Sequence, residues 1–172
     1  KGHLDILFAN AGIAQFAPLG EISEEHFDKI FRINVKGLLF TVQKALPILE
    51  VGGSIILNAS IGTSKGVGGS SVYSATKAAV RSFARTWTVD LRDRKIRVNA
   101  ISPGPIDTPI FSSITQNEEQ SELFKKNIVN SVPMNRMGSP DEVANVVSFL
   151  ASDESSYVTG IELFVDGGLA QI

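Results

Sequence analysis

Tyr73 and Lys77 stand four residues apart in Val72-Tyr73-Ser74-Ala75-Thr76-Lys77-Ala78-Ala79-Val80, a stretch with the pattern of a helix. On a helix that spacing puts the phenol and the ammonium on one face. A positive charge beside a phenol favours the phenolate, so the pair predicts a Tyr73 pKa pulled below the ordinary value of about 10. A phenol tuned that way can exchange a proton with an alcohol or a carbonyl near neutral pH. Ser60 and Asn34 join the pair as candidate participants, and each also has a plain reading. Ser60 can be a loop hydroxyl capping a turn. Asn34, on an apolar stripe, can be a buried amide satisfied by backbone, since an unpaired one is costly. Lys77 could be a solvated helix lysine, but its partner at i−4 argues against that.

The elements that must position these residues are legible as an alternation. Four short, nearly continuous apolar runs read as strands: Leu4–Ala9, Ser54–Ala59, Ile96–Ile101 and Ile161–Val165. Continuous rather than alternating hydrophobicity predicts strands buried on both faces. Ser23 is a candidate N-cap for a helix running to about Leu49, with Phe27, Phe31, Leu38, Val42, Ala45 and Leu49 at three- and four-residue steps and Asn34 filling the one gap. A second helix, about Val72 to Arg92, carries Thr76, Val80, Phe83, Trp87 and Leu91 on one stripe. A third runs from Pro140 to Ala151 behind Ser139, an N-cap followed by proline at the first helical position. Strands alternating with helices predict a single α/β domain with a parallel sheet. The irregular segment, Pro109–Met137, is long enough to be a lid over a site and mixes Phe111, Ile114, Leu123, Phe124, Met134 and Met137 with amides and hydroxyls.

In an open α/β sheet, ligands bind beyond the carboxyl ends of the strands. The first strand runs into Asn10-Ala11-Gly12, the second into Asn58-Ala59-Ser60-Ile61-Gly62, and the third into Ser102-Pro103-Gly104-Pro105-Ile106-Asp107-Thr108. Any one of these is an ordinary turn composition. Three together, with Tyr73 and Lys77, predict a site on that edge.

Composition excludes several functional classes. The 172 residues are 43% hydrophobic and 20% charged, and the net charge of −2 gives no support to a nucleic-acid or anionic-membrane partner. There is no cysteine, which excludes disulfides and thiolate chemistry and fits a cytoplasmic location. No apolar run approaches the ~18 residues of a membrane helix. No histidine or carboxylate cluster suggests a metal site.

These residues together resemble the carboxyl-terminal two-thirds of a short-chain dehydrogenase/reductase. The likeness rests on Asn10-Ala11-Gly12, Asn34 in Ile33-Asn34-Val35-Lys36-Gly37, Ser60, Tyr73-x-x-x-Lys77, Pro103-Gly104-x-Ile106-x-Thr108 and Val165-Asp166-Gly167-Gly168, in that order, with thirteen positions from Ser60 to Tyr73. The resemblance implies a Rossmann-like, doubly wound parallel sheet and an NAD(P)-dependent oxidoreductase that interconverts an alcohol and a carbonyl. It implies Tyr73 as general acid/base and Lys77 as the residue that lowers its pKa and bonds the nicotinamide ribose. It implies Ser60 as holder of the substrate oxygen and Asn34 as holder of a water that relays protons from Lys77. The Asn10-Ala11-Gly12 turn would shape the cofactor pocket, with Asn10 also bracing the sheet. Pro103, Gly104, the backbone of Ile106 and the hydroxyl of Thr108 would hold the carboxamide. A small alcohol or ketone substrate and a homodimer or homotetramer follow from the same likeness.

The family opens with a strand, a glycine-rich turn and a helix, and a second unit reads the ribose 2′ position. Neither is in this sequence. The sheet is therefore expected to be incomplete by most of an amino-terminal βαβαβ half, roughly 60–80 residues, with a sheet edge and apolar faces exposed, and NAD is not distinguishable from NADP. Gly62-x-x-x-Gly66-x-Gly68 mimics a nucleotide-binding loop but leads into the helix of Tyr73 without the acidic partner such a loop requires. Two alternatives stay open: a truncated chain acting only as an oligomerisation or binding module, and a related enzyme using NAD for epimerisation or dehydration.

Overall fold

The structure, a computed structural model, describes residues 2–109 and 118–172. Its centre is an all-parallel sheet with strands in the order β1 (Leu4–Ala9), β2 (Leu49–Asn58), β3 (Arg97–Pro103) and β4 (Glu162–Val165). Successive residues of a strand face opposite sides. Ile55, Leu57, Val98 and Ala100 accordingly pack against helices on one face, and Ile56 and Ile101 on the other. Helices on both faces of a parallel sheet make the doubly wound α/β arrangement that the alternation predicts.

The first layer consists of α1 (Glu24–Phe31), α2 (Leu38–Ala45) and α3 (Ser71–Asp90). The expected single helix from Ser23 to Leu49 is interrupted and shorter. Ser23 does cap it, accepting from the His26 N–H at 3.1 Å. A π turn, Arg32–Gly37, separates α1 from α2 and holds Asn34. In a straight α-helix each step of four residues advances by about 40°. The wider π turn absorbs that drift and keeps Ile30, Asn34, Leu38 and Val42, all buried, on one face. The helix ends in a short 3-10 turn, Leu46–Ile48, where Pro47 lacks the N–H that a further α turn would need. Leu49 is therefore extended and buried, the first residue of β2 opposite Leu4.

In α3 the predicted stripe is present: Thr76 and Val80 are buried, and Phe83 stacks on Trp87 at 4.6 Å. The second layer is α5 (Pro140–Ala151), which follows α4 (Glu118–Ser131). Ser139 and Glu142 form a reciprocal capping box at the start of α5. The α5 side chains Val143, Val146, Val147 and Leu150 pack over Ile56 and Ile101.

β1 departs from the expectation of strands buried on both faces. Asp5, Ile6 and Phe8 are exposed, Ile6 at 48% and Phe8 at 37%. Continuous hydrophobicity marked the strand correctly, but α5 packs over β2, β3 and β4 and leaves Ile6 and Phe8 open. Of the predicted lid, residues 110–117, which include Phe111 and Ile114, lie outside the described residues, and the rest contains α4. No helix among the described residues is long and apolar enough to cross a membrane.

Candidate active site

The carboxyl ends of β1, β2 and β3 lie side by side, because the three strands are parallel and in register at that edge. The turn after β1 is braced directly by β2: Asn58 Nδ2 donates to Asn10 Oδ1. Ser60 follows β2 in extended conformation and opens a 3-10 turn, its hydroxyl accepting from the Gly62 N–H at 3.2 Å. Tyr73 lies on the first turns of α3, half-buried, and the Ser60 side chain stands close enough to its hydroxyl to act on its pKa. The thirteen-residue interval between them is thus a loop that folds the serine back onto the helix.

Burial pushes the Tyr73 phenol above its ordinary pKa, and the Ser60 side chain only partly opposes this. The expectation that Lys77 sets a lowered value is corrected. The Lys77 ammonium lies 5.7 Å from the phenol ring centroid and spends its hydrogen bond on the Asn58 carbonyl, 2.7 Å away. Lys77 is itself buried, and loss of water lowers its pKa to about 8. Sequence spacing gives proximity; it does not report the cost of removing both groups from water.

Asn34 meets the site through its side chain. Its Oδ1 accepts from the Ile13 N–H at 2.8 Å, and its Nδ2 donates to the Ile13 carbonyl at 2.9 Å and to Thr76 Oγ1 at 3.1 Å. Both amide donors and one of the two acceptor positions of Oδ1 are spent on fastening the segment after Gly12 and on Thr76 of α3, so backbone satisfies much of the side chain. Gly12 sits in the resulting angle: a Cβ there would lie 3.2 Å from Asn34 Oδ1 and 3.5 Å from Lys77 Nζ.

At the end of β3, Pro103 is the last strand residue and Gly104 donates its N–H to the Val165 carbonyl at 3.0 Å. A Cβ on Gly104 would fall 2.7 Å from Asp166 Cα, so only glycine permits the close approach of these two segments. Ile106 then pairs with Gly138 in a parallel bridge made by the Asp107 N–H and the Pro105 carbonyl. Such a bridge turns the N–H and C=O of Ile106 itself the other way. Thr108 Oγ1 lies 3.4 Å from the Ile106 carbonyl.

Several neighbours had no role assigned to them from the sequence. Phe16 packs its ring 6.0 Å from that of Tyr73. Thr76 shares Asn34 and donates to the Tyr73 carbonyl at 2.6 Å. Asn58 Oδ1 is buried and has no hydrogen-bond partner among the described residues. Thr63, Arg81, Ser102 and Glu162 form a polar cluster behind Ser60. The available signal was local: Thr63 lies one turn after Ser60, and Arg81 one turn after Lys77. A cavity of about 420 Å³ opens between Leu19 and the Gly62–Ser74 loop.

The chain can now be set beside known proteins. The family model described as enoyl-(acyl carrier protein) reductase matches residues 1–170. The oxidoreductase asL5 of Sarocladium schorii is 47% identical, over all of this chain and 68% of its own length. The ligand-free aldohexose dehydrogenase of Thermoplasma acidophilum superposes with a TM-score of 0.93 at 30% identity, over 99% of this chain and 69% of that one. The angucycline C-6 ketoreductase LanV, solved with bound NADP, superposes with a TM-score of 0.91 at 30% identity, over 99% of this chain and 64% of that one. The chain spans about two thirds of the length of the curated relatives it matches. It belongs to the short-chain dehydrogenase/reductase family.

Proposed function

We propose that this member of the family works, in its full-length protein, as an NAD(P)-dependent oxidoreductase that interconverts an alcohol and a carbonyl, with Tyr73 as the proton carrier. The observation that carries the reading is the convergence of Ser60, the Tyr73 phenol and a buried Lys77 at the carboxyl edge of a parallel sheet. The named relatives are oxidoreductases, and one structural neighbour holds NADP.

The residues present fit a nicotinamide cofactor. Donors and acceptors suited to its amide and ribose face the edge: Lys77, the Thr108 hydroxyl, the N–H and C=O of Ile106, and Asn58 Oδ1, unpaired among the described residues. The Asn10-Ala11-Gly12 turn and the Pro103-Gly104 segment supply close-approach backbone around them. A bound nicotinamide supplies hydride chemistry.

The protein's share is orientation and proton transfer. Ser60 holds the substrate oxygen against the Tyr73 hydroxyl, which gives a proton to the forming alkoxide or takes one from the alcohol. A phenol kept protonated by burial is suited to the reductive direction, where it must donate. Lys77, moving from the Asn58 carbonyl toward a ribose hydroxyl, brings its charge to the phenol when the phenolate forms. Asn34 contributes by fixing Ile13 and Thr76 and by holding the water that relays protons from Lys77. The described residues 118–137, which include α4, supply the lid over the substrate in this reading, and the Leu19–Val67 cavity is the substrate's side of the site. Self-association through α3 and the β4 region completes the proposal.

The test is Tyr73→Phe in the full-length protein. Turnover is expected to be abolished while cofactor affinity, read by fluorescence titration, stays near wild type. Retention of more than a few per cent of the wild-type rate would overturn the role of Tyr73.

A further inference from the structure

Glu162, at the start of β4, points its carboxylate behind the Ser60 turn rather than to solvent. Oε2 takes the Arg81 Nε–H at 2.8 Å, and Oε1 takes the Ser102 hydroxyl at 2.6 Å and contacts the Thr63 hydroxyl. Both charged side chains are largely enclosed, Arg81 at 16% exposure and Glu162 at 10%. Charged groups so placed are costly unless fully partnered, and here the carboxylate has three donors available from three different segments: α3, β3 and the Ser60 turn.

The turn itself is a closed unit. The Thr63 N–H donates to the Ser60 carbonyl at 3.0 Å, and the Gly62 N–H to the Ser60 hydroxyl at 3.2 Å. The Thr63 hydroxyl has one proton and lies between the Ser60 carbonyl, at 2.9 Å, and the Glu162 carboxylate. A carboxylate is the stronger acceptor, so that proton goes to Glu162 and the turn is anchored there by its last residue. Arg81 carries the same anchor into α3, eight residues, or about 12 Å of helix, beyond Tyr73. The turn that carries Ser60 and the helix that carries Tyr73 are thus tied to one common carboxylate.

We infer that Glu162, with Arg81 and through Thr63, is a positioning device that sets the Ser60–Tyr73 geometry; the inference rests on the functional reading given above. None of the three touches the reacting atoms. Their effect is to hold the serine near the phenol, where it lowers the pKa that burial raises. Lys77, one turn along α3 with its ammonium 5.7 Å from the ring, is the charged group facing the phenol and is unchanged in these variants, so a moved limb reports the loss of the serine.

The experiment is a set of variants in the full-length protein: Thr63→Val, Thr63→Ser and Glu162→Gln, with Tyr73→Phe as the reference. Thr63→Val is expected to lower kcat about tenfold or more, leave the cofactor KM unchanged, and move the basic limb of the pH–rate profile to higher pH. Thr63→Ser is expected to restore both rate and limb, and Glu162→Gln to shift the limb in the same direction as Thr63→Val. Wild-type rate and an unmoved limb in Thr63→Val, or a rate loss with an unmoved limb, would overturn the inference while Tyr73→Phe remains inactive. An active Tyr73→Phe would instead overturn the functional reading beneath it.

Discussion

Asn34 and Ile13 are locked together by two antiparallel hydrogen bonds, the Ile13 N–H to Oδ1 and Nδ2 to the Ile13 carbonyl. An amide side chain here does the work of a paired strand, closing the segment after β1 onto a helix twenty-one residues away.

Replacing that amide tests its weight. Asn34→Ala leaves the Ile13 N–H and carbonyl without their partner and frees Thr76, and the expected loss is about 2–4 kcal/mol of unfolding free energy. Urea denaturation of the full-length protein gives the number. A change below about 0.5 kcal/mol, the range of neutral surface substitutions, would mean that Ile13 is held by something else.

Lys77 predicts a dependence of stability on pH. Its folded pKa, about 8, lies below the ordinary lysine value of 10.5. Between those values the unfolded chain binds the proton that the folded one has released, so stability from this group rises as pH climbs from about 8 to 10.5. Below pH 8 the enclosed ammonium is a standing cost. Lys77→Met is expected to be flat across that window where the wild type slopes upward, and denaturation at three pH values decides it.

Gly104 predicts a steric cost. A methyl group there would stand 2.7 Å from Asp166 Cα, which cannot yield as a flexible side-chain tip could. Gly104→Ala is expected to lower stability by about 1–3 kcal/mol, visible as a reduced Tm. Activity is expected to fall with it, because the same displacement carries Ile106 and Thr108 away from the edge. An unchanged Tm would show that the β3 and β4 ends tolerate separation.

Much of this was legible in the sequence, for identifiable reasons. Asn10-Ala11-Gly12, Ser60 and Pro103-Gly104 announced themselves because chain reversals at a crowded sheet edge admit few residue types. The Tyr73–Lys77 face followed from helical spacing. The π turn did not follow, since Phe27 and Phe31 offered a plausible alternative stripe while the buried residues are Ile30, Asn34, Leu38 and Val42. Leu49 was placed in the helix although Pro47, two residues earlier, marked its end. The Tyr73 pKa came out in the opposite direction because spacing carries no information about desolvation. Arg81 and Glu162 stayed invisible because eighty-one residues separate them and only the completed sheet brings them together.

The π turn makes the helix that packs on β1 sensitive to counting. Each residue added to or removed from an α-helix rotates everything beyond it by about 100°. With Arg32–Gly37 wound wide, the phase of Leu38 and Val42 against the sheet depends on the number of residues as well as on their kinds. A deletion within α2, beyond the reach of the turn, would leave most of its composition intact and aim the apolar side chains that follow away from the sheet. In this segment, then, length itself is a determinant of the fold, and conservative substitution is tolerable where insertion or deletion is not.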